Sequence, residues 1–220
     1  MSQSMNRART EHAKEQKRQK LMDAAMDLFI ERGYKTPTVE MITERAGTSV
    51  GTFYLYFRGK HEIYKAFQKE AIDLLSGMIL QGLAKRSGSA REKLIAAAAA
   101  YLRFYREYPE YYGFIALINI GGQQELRESK SEIGEIVDST TLAILRRVEA
   151  VITEGIRGGE FRQVDAWRTA CALWGMIDGC ILIEERGNTR VIGMTLDELV
   201  WHGLETAFSG VDHRGVPVSP

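Results

Sequence analysis

Apolar residues recur at helical spacing along nearly the whole chain. Leu21, Ala24, Ala25, Leu28 and Phe29 fall at i, i+3, i+4, i+7 and i+8, which predicts an amphipathic helix over residues 16–32, ended by Gly33. Pro37 cannot sit inside a helix, so a second, short helix begins after it with Thr38 as N-cap and runs to Ala46. Gly47 stops that helix, Ser49 caps a third ending near Tyr56, and Lys60 opens a long one to about Arg86 with Ile63, Phe67, Ile72, Leu75 and Ile79 at apolar positions. Ser89-Ala90-Arg91-Glu92 reads as a capping box for an alanine-rich helix that ends before Pro109, and Pro109 suits the first turn of the next, to Ile120. A helical stretch from Gln123, with a break near Gly134 or Asp138 left open, closes at Gly158-Gly159. Asp165 caps a helix to Arg186, and the box Thr195 to Glu198 opens a last one to Ser209. No strand and no internal repeat is read. The pattern predicts an all-α chain of about nine helices: a flexible basic arm (1–15), a helix-turn-helix domain (16–62), a larger helical effector-binding and dimerisation domain (63–210) and a flexible tail (211–220).

Charge changes this picture only when it is divided. The 220 residues carry no net charge, but residues 1–60 hold 11 Lys/Arg against 7 Asp/Glu, and the remainder is acidic by the same margin. A basic head on an acidic body suggests that the head alone meets a polyanion. Part of the excess lies in the run from Asn6 to Lys20, which is either an arm laid along the minor groove or backbone, or a solvated tail. With 45% hydrophobic residues the chain can fill a core. It shows no run of eighteen apolar residues and no apolar leader, so a cytoplasmic protein without a membrane partner is expected. Cys171 and Cys180, nine apart on one helix, face opposite sides and cannot bridge each other. No catalytic nucleophile constellation, phosphate-cradling glycine loop or metal-ligand spacing is present; the expectation is no enzyme, no cofactor and no metal.

Three short helices with a tight turn at Gly47 have the layout of a helix-turn-helix reader, whose third helix packs one face inward and offers the other to a major groove. Val50, Phe53 and Phe57 recur as a packing stripe with Val39, Ile42 and Ala46. Ser49, Gly51, Thr52, Tyr54, Leu55 and Tyr56 are left outward, joined by Lys60. Small or hydroxylated residues at the start of this helix allow close approach to base edges, and tyrosine hydroxyls and an ammonium can bond phosphate oxygens.

The run "GYKTPTVEMITERAGTSVGTFYLYFRGKHEIY", Gly33 to Tyr64, resembles the DNA-binding domain of the tetracycline-repressor (TetR) family. Thr38, Ile42, Ala46, Gly47, Ser49, Gly51, Thr52, Phe53, Tyr54, Tyr56, Phe57 and Lys60 fall on the family pattern, with Thr43 and Thr48 departing from its usual Ala and Val. The resemblance implies that Tyr54, Tyr56 and Lys60 contact phosphates and that Thr38, Val50, Gly51, Thr52 and Leu55 lie nearest the groove. It also implies homodimers on a palindromic operator, usually repressors released by a small molecule. It covers residues 16–64 only.

In the body, Cys171, Gly175 and Gly179 recur every four residues and leave a small-residue groove. This is read as a dimer seam with Leu199, Leu204 and Phe208 of the last helix, against the alternative of intrachain packing. Aromatic residues Tyr101, Phe104, Tyr105, Tyr108, Phe114 and Trp174, with Ile118 and the polar Asn119 and Asp178 set in apolar runs, form the candidate ligand set. Asp178 either pairs with an internal arginine such as Arg103 or Arg106, or faces an effector of hydrophobic or planar character. The leading reading is a ligand-responsive, DNA-binding repressor. The alternatives are a DNA-binding regulator without a small-molecule effector, and a helical small-molecule-binding enzyme with a helix-turn-helix head.

Overall fold

The computed structural model describes residues 2–84, 88–116 and 132–211. Within them lie ten helices and no strand: α1 (Ser2–Arg32), α2 (Val39–Arg45), α3 (Val50–Tyr54), α4 (Lys60–Leu83), α5 (Ala90–Glu107), α6 (Pro109–Ala116), α7 (Glu132–Arg157), α8 (Ala166–Glu185), α9 (Asn188–Ile192) and α10 (Leu196–Val211). The starts follow the sequence signals. Thr38, Ser49 and Asp165 each accept a backbone N–H from the residue three further on. Ser89 and Glu92 exchange both bonds of a capping box, and Thr195 and Glu198 do the same.

Two features add to the sequence reading. Helix α1 begins at Ser2, within the segment read as a basic arm, and no glycine or proline interrupts the chain before Gly33. Pairs such as Glu11–Lys14 and Glu15–Arg18 line the exposed side of this extension. The short α9 was not foreseen, because five residues between Gly187 and Gly193 are too few to display a period. Helix α7 passes unbroken through Gly134 and Asp138.

The chain forms two compact units, one of residues 1–71 and 110–137, the other of 72–109 and 138–220. The residues read as a helix-turn-helix domain, 16–62, lie within the first unit, which also takes in a segment around α6. That unit closes on Leu21, Met22, Ala24, Ala25, Leu28 and Phe29 of α1, against Ile42, Phe53, Phe57, Ile63, Tyr64 and Phe67. Phe114 of α6 completes the core, stacked on Phe67 with ring centroids 4.7 Å apart and edge-on to Tyr64 at 5.0 Å. Its carbonyl accepts from Tyr64 Oη at 3.2 Å and Gln68 Nε2 at 2.9 Å.

In the second unit α8 buries Ala170, Leu173, Ile177, Cys180 and Ile181. By length and composition α8 would suffice to cross a membrane, and it is the one such helix among the described residues. Helix α10 packs closely on it, with the Gly203 backbone against the Met176 side chain. The Glu160 carboxylate accepts from Ala90 N at 2.7 Å and Arg91 N at 2.9 Å, satisfying two amides at the start of α5.

Candidate nucleic-acid interface

Helix α3 has five residues, too short to persist in water by itself, and is held from below. Phe53 is fully buried and Phe57 nearly so, while Val39 and Ala46 pack partly buried on the same core. The turn into it needs Gly47, whose φ of +63° is strained for residues with a side chain. Ser49 Oγ accepts from Thr52 N at 3.1 Å and lies 2.9 Å from Thr52 Oγ1, fixing the first turn. Arg45 and Glu31 form a two-pronged ion pair at 2.6 and 2.9 Å that ties α2 to α1.

The opposite face is open. Tyr54 is 57% and Leu55 80% exposed, and Thr38, Ser49 and Gly51 are exposed beside them, with Val50 and Thr52 half-buried. Tyr56 departs from expectation, since it lies half-buried against the core. Lys60 departs further. Its Nζ donates to the carbonyls of Tyr34 (3.0 Å), Lys35 (2.7 Å) and Pro37 (3.1 Å) and lies 4.9 Å from the centre of the Tyr34 ring. An ammonium has three N–H donors, and here all three have protein acceptors, so the expected phosphate bond has no donor left in this conformation.

The candidate ligand residues divide between the units. Phe114 is a core residue of the first, and Ile118 and Asn119 lie outside the described residues. In the second, Tyr101 and Phe104 are buried, Tyr105 and Tyr108 half-buried, and Trp174 is 42% exposed. Asp178 pairs with neither Arg103 nor Arg106: the Tyr101 hydroxyl and the Trp174 indole donate to it, while Arg106 meets Asp197 at 2.5 Å and Arg103 lies by Glu107. Tyr105 donates to Glu185 at 2.6 Å. A cavity of about 10 Å³, room for no more than one water, is lined by Leu94, Ile152, Phe161, Thr169, Leu173, Ala207 and Phe208. None of the expected ligand residues borders it.

Burial raises the Asp178 carboxyl above its ordinary pKa, only partly opposed by its hydrogen bonds from Tyr101 and Trp174. Its favourable contribution to stability is therefore present below the ordinary value of 3.8 and is lost as pH rises through the raised one. Asp178→Asn should flatten that fall, so that in melts from acid to neutral pH the variant loses less stability than the wild type. Parallel melting curves would show the carboxyl to be unperturbed.

The residues expected at a dimer seam divide between an open side of α8 and the core. A Cβ added at Gly175 or Gly179 would meet no described atom within 4 Å, so this side of α8 has no intrachain partner at those positions. Cys171 and Leu199 are half-buried. Leu204 and Phe208, by contrast, are buried in the chain's own core, Phe208 stacked on Phe161, and are not part of an outer surface.

Among the described residues no cluster of three His, Cys, Asp or Glu is placed to hold a metal. Residues 21–67 match the family of bacterial regulatory proteins, tetR family. The fatty acid metabolism regulator protein of Bacillus subtilis is 27% identical over 203 residues, covering 90% of this chain and 99% of its own. The HTH-type transcriptional activator FasR of Mycolicibacterium smegmatis is 30% identical over 110 residues, half of each chain. Among solved structures, the transcriptional regulator FadR from Bacillus subtilis in complex with stearoyl-CoA superposes with a TM-score of 0.67 at 25% identity, over 88% of this chain and 98% of that one. The family match falls on the stretch that builds the third helix with its buried and open faces: residues 21–67 form a domain of the tetR family of bacterial regulatory proteins, and the protein is a DNA-binding transcriptional regulator.

Proposed function

We infer that the protein works in the cytoplasm as a homodimeric repressor, and not as an enzyme. It binds a palindromic operator and is released by a small hydrophobic effector of the long-chain acyl-CoA class. The observation that carries the DNA side is the open face of α3, where Tyr54 and Leu55 stand 57% and 80% exposed over a fully buried Phe53. Thr38, Ser49, Val50, Gly51 and Thr52 lie nearest the groove in this reading, and Tyr54 bonds the backbone. The effector class is supported by the likeness to the Bacillus subtilis regulator bound to stearoyl-CoA.

The dimer is supported by the open glycines of α8. Each glycine in a soluble helix costs about 1 kcal/mol relative to alanine, a cost with no return inside one chain where nothing approaches. Gly175→Trp should leave the protomer folded and shift the mass measured by light scattering from dimer to monomer. An unchanged dimer mass would place the seam elsewhere.

The reading is tested by selecting genomic fragments with the purified protein, then adding stearoyl-CoA. A palindrome with two half-sites in successive major grooves, about 34–36 Å apart, and release on adding the acyl-CoA are expected. An allosteric coupling of about 1–3 kcal/mol corresponds to roughly a 5- to 150-fold loss of affinity. A palindrome without release would retain the regulator and remove this effector. The Mycolicibacterium smegmatis relative, named an activator, favours activation as the second reading, which reporter output from the recovered operator decides.

A further inference from the structure

Two loops meet at the N-terminus of α4. One is the segment before α2, whose carbonyls at Tyr34, Lys35 and Pro37 converge on the Lys60 ammonium within 3.1 Å. The other is the turn after α3, held where Glu62 accepts the backbone N–H of Arg58 at 2.5 Å. The Tyr34 ring packs between Phe29 and Tyr64, so the clamp is seated on the core of the first unit. Each loop carries one exposed cation, Lys35 and Arg58, and neither has a carboxylate partner among the described residues. Arg45 and Arg18, by contrast, are engaged with Glu31 and with Glu15.

We propose that Lys60 is a positioning residue that clamps the loop before α2 to the start of α4, and that Lys35 and Arg58, carried on the two loops, are the cations that meet the DNA backbone. This rests on the DNA-binding reading above. An ammonium enclosed by three carbonyls is electrostatically satisfied inside the protein and sets the loop from which α2 starts. α2 in turn supports α3. An exposed, unpaired guanidinium or ammonium keeps its donors for phosphate oxygens. The two roles leave different marks on binding. A phosphate contact contributes to counterion release, whereas a clamp contributes to the register in which bases are read.

The test uses the full-length dimer with the selected operator and a random duplex of equal length, titrated at several salt concentrations. Lys35→Ala and Arg58→Ala should each lower the slope of log K against log salt by about 0.9 per contact, hence about 1.8 per dimer, on both duplexes alike. Lys60→Met should leave that slope unchanged and cut the operator-to-random ratio by about tenfold or more. Lys60→Arg separates the roles even if the methionine variant is poorly folded. Arginine can replace lysine at a phosphate but cannot fit its planar fork among three converging carbonyls, so the ratio should again fall. A reduced slope with an intact ratio in Lys60→Met, or full operator affinity and ratio in Lys60→Arg, overturns the clamp. Unaltered slopes in Lys35→Ala and Arg58→Ala overturn the phosphate assignment. Failure of the wild type to prefer any sequence would instead sink the underlying DNA-binding reading.

Discussion

Phe53→Ala is expected to destabilise the first unit by about 3–5 kcal/mol and to abolish operator binding, because the ring is the anchor of α3. Phe53 has no exposed surface, its centroid lies 5.6 Å from that of Phe57, and it faces the same core as Ile42. A helix of five residues gains too little from its own hydrogen bonds to stand without tertiary support. Truncating the ring leaves a cavity under the element that presents Tyr54 and Leu55, so stability and binding should fall together. The control is Leu55→Ala. At 80% exposure it should alter stability by no more than about 0.5 kcal/mol while weakening the operator complex. Denaturant unfolding and a mobility-shift titration measure both. A Phe53→Ala protein that binds the operator normally would mean that α3 is held by its caps alone.

Gly155→Ala should also be destabilising, by up to about 2 kcal/mol net, against the usual direction for a helix interior. Alanine ordinarily gains about 1 kcal/mol over glycine there. At Gly155 the new Cβ would lie 2.6 Å from Phe161 Cε2 and 2.8 Å from the Ala90 Cβ. Neither neighbour gives way easily. Phe161 is stacked on Phe208, and its own N–H donates to the Gly155 carbonyl at 3.2 Å. Ala90 is held by the capping box of α5 and by Glu160. Overpacking of this kind costs about 1–3 kcal/mol, which should exceed the helical gain. Gly175→Ala provides the contrast, since its Cβ meets nothing within 4 Å and the helical gain should survive in the isolated protomer. Equal melting temperatures for wild type and Gly155→Ala would show that Phe161 can repack.

Local chemistry was legible in the sequence, and long-range contacts were not. Every cap read from Thr38, Ser49, Ser89, Asp165 and Thr195 is formed, since a cap needs only a side chain and an amide within four residues. The stripe Leu21, Ala24, Ala25, Leu28 and Phe29 is buried as its period requires. The family resemblance likewise rested on contiguous residues.

What the sequence did not display were partners distant in the chain. Lys60 was read as a surface cation because the carbonyls it reaches lie 23 to 26 positions away. Asp178 was assigned to arginines or an effector, yet its partner Tyr101 lies 77 positions away, and no local signal distinguishes a phenol from a guanidinium as the group that satisfies a carboxylate. Leu204 and Phe208 fit the helical period of an outer seam and of an inner core alike, and only tertiary packing decides between them: both are buried, Phe208 stacked on Phe161.

The sequence by itself determined the all-helical class, the caps and turns that punctuate it, and the short stretch that turns one face of α3 inward and the other outward. Those features arise from interactions along the chain within one or two helical turns. Only the tertiary structure decided which cations remain exposed and which are held inside, which aromatic rings form core, and which glycines face open space. Each of those outcomes depends on groups that folding brings together across dozens of residues.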